Sequence, residues 1–84
     1  MRTMTVCAGV GDFVPVVGSL MPSTTRFNLQ ISGMYESDPA TVSRRMINLV
    51  SNFFGNRLNV VYQHRVGNDH VFAVTVNKWD KVDE

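Results

Sequence analysis

The sequence predicts an α+β fold: a small antiparallel β-sheet with one amphipathic helix packed on one face, in the order β-(β)-β-α-β-β. Three stretches carry that expectation. Residues 37–56 have a helix start, a helical period and a helix stop. Residues 26–35 alternate as a strand does, and residues 57–79 read as two strands meeting near Gly67-Asn68.

In the first of these, Asp38 is placed to cap the helix, Pro39 fits the first helical position, and Gly55 or Asn56 suits the left-handed stop. At about 100° per residue, Val42, Met46, Leu49 and Phe53 fall on one line, widened by Ile47, Val50 and Phe54. Thr41, Arg44, Arg45, Asn48, Ser51 and Asn52 gather opposite. An apolar arc this broad belongs on a sheet, with Phe53 expected in the core.

Taken from the start, residues 1–25 are the least regular part. Met4, Val6 and Ala8 alternate with Thr5 and Cys7, the pattern of a half-buried strand. Residues 13–17 are apolar but contain Pro15, which cannot donate to a ladder, so they are expected at a sheet edge or outside it. In 26–35, Phe27, Leu29, Ile31, Gly33 and Tyr35 are expected to face the core, and Met34 the opposite side.

Leu58, Val60 and Tyr62 share one face of the next strand, and Phe72, Val74 and Val76 one face of the last. A two-residue loop would set these faces against each other in the wrong phase. A three-residue loop over 66–68, with Asn68 left-handed, pairs Tyr62 with Phe72, Val60 with Val74 and Leu58 with Val76. It also sets His64 opposite His70 and Arg65 opposite Asp69. Residues 80–84 are short and charged, a tail expected to fray.

Eighty-four residues make one domain with one modest core. A hydrophobic fraction of 44% argues against disorder, and a net charge of +1 supplies no general attraction to nucleic acid or to an anionic membrane. Cys7 is the only cysteine, which excludes an internal disulfide and points to a reducing, cytoplasmic setting. Asp12, Pro15 and the glycines at 9, 11 and 18 interrupt any signal or membrane-spanning run near the start.

No chemistry-bearing motif assembles. Gly9-Val10-Gly11 lacks the third glycine of the dinucleotide fingerprint, Val14 standing in its place, and reads as a turn. His64 and His70 lack the third and fourth ligands a zinc ion requires. No nucleophile elbow occurs, and the acids fall in loops, caps or the tail, so no enzyme activity, metal or cofactor is expected.

Surfaces remain. Phe13, Val14, Val16 and Val17, with Leu20 and Met21, either cover the helix arc or stay exposed as a partner patch. Met34, Val61, Val71 and Ala73 point to the sheet face away from the helix, which a partner or a second copy would cover. The function expected is therefore protein binding, as an inhibitor, adaptor or assembly component of the compact kind phages encode. The alternative is a nucleic-acid-binding module using Arg26, Arg44, Arg45, Arg57, Arg65 and Lys78. No membrane partner is expected.

Overall fold

The computed structural model describes residues 4–36 and 38–77. It is an α+β domain: a four-stranded mixed sheet, with the long helix packed on it. The chain runs β1 (Thr5–Gly9), α1 (Phe13–Leu20), β2 (Arg26–Ser32), α2 (Pro39–Phe54), a short 3-10 turn (Gly55–Arg57), β3 (Leu58–Val66) and β4 (Asp69–Val76). The sheet order is β1-β2-β4-β3, with β4 antiparallel to both β2 and β3, so α2 carries the chain across β4.

β1 lies parallel to β2, not antiparallel as expected. A parallel neighbour needs a crossover, and α1 supplies it from residues expected to be extended. Pro15 gives that stretch the look of an edge strand in the sequence. It occupies the third helical position, where the N–H has no partner within the helix, so proline costs no hydrogen bond there. Phe13 and Val17, one turn apart, enter the core.

Asp38 caps α2 through its carboxylate, which accepts from the Thr41 N–H at 3.3 Å and from the Thr41 hydroxyl at 2.8 Å. Gly55, at φ +61°, closes the other end. The buried side chains are Val42, Met46, Val50 and Phe54, a single i, i+4 ridge, with Leu49 half-buried beside it. Phe54 is 7% exposed and Phe53 56%, so the helix turns the second phenylalanine inward, not the first. Both sit at the end of the helix about 100° apart, and either could close an apolar stripe. The ridge that runs from Val42 selects Phe54.

β2 ends earlier than its alternation suggests. Gly33, at φ +87°, turns the chain out of the strand and reverses the phase beyond it. Met34 is consequently buried in the core, and Tyr35 stands 88% exposed.

The hairpin reaches the expected core register by a different device. Tyr62 pairs with Phe72, Val60 with Val74 and Leu58 with Val76, yet the loop has only two residues. Gly67 alone has positive φ, as a type II′ turn requires, and Asn68 does not. The phase error of so short a loop is absorbed by a bulge at Gln63, between Tyr62 and His64. The turn-proximal pairs shift in consequence: His64 faces Val71, Arg65 faces His70, and Val66 faces Asp69.

Both helices and the inward-facing side chains of all four strands share one hydrophobic cluster, so the helices lie on the same side of the sheet. The expected fraying of 80–84 lies outside the described residues. Among those described, no helix is long and apolar enough to cross a membrane.

Candidate docking face of the sheet

With both helices on one side, the other side of the sheet carries no layer among the described residues. Register places its side chains in rows across the strands. One row runs Thr5, Asn28, Ala73, Val61, and the next Cys7, Gln30, Val71, His64. A third holds Arg26, Thr75 and Asn59. Towards the hairpin, Val66 pairs with Asp69, whose carboxylate accepts from Gln30 Nε2 at 2.8 Å.

Three of the residues expected on this face are there. Val61 is 52% exposed on the edge strand, Ala73 is half-buried beside it, and Val71 is closed to 5% between its neighbours in the centre. Met34 is not on it, because the turn at Gly33 carries that side chain to the core. Phe13 and Val17 are also core residues, while Val14 is half-buried and packs on the core and Val16 is half-buried. The N-terminal apolar segment thus covers the helix side and does not form a separate patch. Its burial was signalled by the spacing Phe13, Val17, Leu20, which is helical once Pro15 is allowed in the first turn.

The arginines do not form one surface. Arg26 is exposed on the open face, whereas Arg44 and Arg45 are exposed on α2 in the other layer. Arg57 follows α2 and donates from Nε to the Phe54 carbonyl at 3.4 Å. Arg65, exposed, faces His70 across the hairpin, and Lys78 lies outside the described residues. Among the described side chains of the open face the one aromatic ring is the imidazole of His64, and no Phe, Tyr or Trp joins it to build a platform on which successive single-stranded bases stack.

The two histidines separate. His64 is exposed on the open face, and His70 is buried on the helix side. The Glu36 carbonyl can only accept, so His70 Nε2 carries the proton and donates to it at 2.9 Å. Nδ1 of the neutral ring then accepts from the Tyr62 hydroxyl at 3.1 Å. Tyr62 also packs edge-on against Phe72, with ring centroids 5.4 Å apart. This network pins the loop after β2 to the hairpin, and its ring nitrogens are both occupied. Among the described residues no group of three or more His, Cys, Asp or Glu could hold a metal ion.

The Gly9-Val10-Gly11 loop does precede a helix, yet two of its three N–H groups are already used. Gly9 N donates to Asp12 Oδ1 at 2.8 Å and Val10 N to the Ser32 carbonyl at 2.9 Å. A carboxylate sitting in the loop repels the anion that a phosphate cradle would hold.

Compared with known protein families, with curated proteins and with solved structures, the chain matches none. What the fold defines is a two-layer α+β domain whose second sheet face carries no layer among the described residues.

Proposed function

We propose that this chain is a non-enzymatic protein-binding module that docks its target on the open face of the sheet, as an inhibitor, adaptor or assembly component. The observation that supports this reading is the make-up of that face: Val61, Ala73 and Val71 in adjacent rows, ringed by Thr5, Asn28, Gln30, Asn59 and Thr75. An apolar patch with a polar surround, whose charges among the described residues are Arg26 and Asp69 at its margins, is the arrangement of protein interfaces, which are depleted in charge at the centre. Arg26 is the one arginine or lysine among the described residues of the face, too little for a phosphate backbone. Cys7, exposed and free, favours a reducing compartment such as the cytoplasm.

The test uses the full chain, Val61→Glu and Arg44→Glu as baits in host lysate, with and without nuclease. Val61→Glu places a charge on the exposed apolar residue of the face and is expected to lose the target, while Arg44→Glu on α2 retains it. Val71 makes a poor probe because it is already closed to solvent. Retention by Val61→Glu with loss by Arg44→Glu moves the functional surface to the helix layer. Capture that nuclease abolishes, with salt-dependent binding to DNA or RNA, replaces this reading with the nucleic-acid alternative.

A further inference from the structure

Each end of the sheet presents an edge, and the two are built differently. On β1 the outward backbone groups belong to Thr5, Cys7 and Gly9, since Met4 and Val10 bond towards β2. Asp12 blunts that edge by placing its carboxylate on the Gly9 N–H.

Among the described residues, β3 carries no such guard over Leu58–Tyr62. Asn77 N donates to the Arg57 carbonyl at 2.9 Å, which fixes the alternation of the β3–β4 ladder. Asn59 and Val61 bond towards β4, and the N–H and C=O groups of Leu58, Val60 and Tyr62 point outward. This stretch contains no charge and no proline, and the Gln63 bulge interrupts the strand only after it. Beside it, between β3 and α2, lies an open groove of about 540 Å³. Its walls include Ile47, Val50 and Ser51 from the helix, Leu58 and Val60 from the strand, and Asn77. Every residue lining it is uncharged, and Ile47 is 46% exposed at its mouth.

We propose that this edge is a self-association surface, taking the same edge of a second copy of the chain in antiparallel register about Val60. That register is the one in which Leu58, Val60 and Tyr62 all pair at once: Val60 meets the other Val60, and each Leu58 meets the other Tyr62. The outward backbone groups of the flush stretch are then satisfied reciprocally, as a two-fold interface demands. The occupant is a second copy because the surface is complementary to itself. It is neutral, so two copies meet without repulsion. The Asn and Ser groups at the groove both donate and accept, and the side chains meeting on the helix side are all apolar or aromatic. Five paired residues alone fall short of the roughly 800 Å² per partner that a stable contact buries, so the association expected is a weak one, to which exposed Ile47 at the groove mouth adds apolar area. The axis stands perpendicular to the sheet, so the two open faces become one continuous face. Self-association goes beyond the docking reading and does not depend on it.

Sedimentation equilibrium on the chain alone, over roughly 10 µM to 1 mM, is expected to show a monomer–dimer equilibrium. Ile47→Glu and Asn59→Lys, both at exposed positions, are expected to weaken it by at least about tenfold while circular dichroism stays unchanged. Register is read by cross-linking in a Cys7→Ser background. Asn59→Cys mixed with Val61→Cys is expected to give a mixed disulfide under mild oxidation, because those positions face each other as a non-hydrogen-bonded pair. Neither variant alone brings its cysteines within reach. A monomer at every concentration, a dimer unaffected by both substitutions, or single-variant disulfides as abundant as mixed ones overturns the proposal. These measurements contain no target, so their failure leaves the docking face standing.

Discussion

The phase of α2 is the feature on which the packing most depends, and the adjacent phenylalanines at its end test it directly. Phe54 is a core residue at 7% exposure, and Phe53 is 56% exposed. Truncating a buried phenylalanine to alanine removes its transfer energy and leaves a cavity, a cost of about 3–5 kcal/mol. Phe54 lies at the rim of the cluster, and alanine regains about 0.5 kcal/mol of helix propensity, so Phe54→Ala is expected near the lower bound, about 3 kcal/mol. A domain of this size has roughly 4–12 kcal/mol to lose, so the variant remains foldable but visibly weakened. At 4–8 °C per kcal/mol, its Tm should fall by about 12–24 °C. Phe53→Ala removes a side chain already more than half in water, a loss of about 1 kcal/mol that helix propensity partly offsets. Urea unfolding followed by far-UV circular dichroism measures both. If Phe53→Ala costs as much as Phe54→Ala, the buried ridge is not Val42, Met46, Val50 and Phe54, and the packing of α2 described above is wrong.

Tyr62→Phe deletes the hydroxyl that satisfies buried His70 Nδ1 and should cost about 1–3 kcal/mol in the same urea assay. A loss under about 0.5 kcal/mol would mean that solvent replaces the hydroxyl and that the network does not hold the loop. Gly33→Ala forces a Cβ into a left-handed residue at φ +87°, with Val10 Cγ1 3.4 Å away, and should cost about 1–2 kcal/mol. A neutral result in differential scanning calorimetry would show that the turn relaxes and that the reversal of phase at Met34 does not depend on it.

Where local rules acted without competition, residue order alone led to the right structure. The Asp38-Pro39 start and the Gly55 stop of α2 are capping chemistry confined to a few residues, and both are present. The alternation over Phe27, Leu29 and Ile31 places them in the core as expected. The departures occur where two rules conflict. At Pro15 the bar against proline in a ladder suggested an edge strand, whereas proline in the first helical turn breaks no bond. At the hairpin, loop length and side-chain phase could not both be ideal. A longer loop and a bulge restore the phase equally well, and nothing in Gln63 marks it as the bulged residue. Parallel pairing of β1 was unreadable for a related reason: without α1 no crossover existed to permit it.

The same dependence explains how much of the candidate surfaces was legible. Val61, Val71 and Ala73 were assigned to the face opposite the helix by strand alternation alone, and they stand together because that alternation survives in the centre of the sheet. Met34 was assigned by the same rule, carried one residue past a glycine that breaks it. The β3 edge could not be found this way. Which strand lies outermost depends on sheet order, and which backbone groups point outward depends on ladder parity, here fixed by the bond from Asn77 to Arg57. Neither leaves a mark in side-chain composition. What the composition does contain is the absence of charge and proline over Leu58–Tyr62, which acquires meaning only once that stretch is known to be an edge. A central strand needs no guard, whereas an edge left without one among the described residues, beside a neutral groove and opposite an edge blunted by Asp12, is what the proposed pairing of two copies rests on.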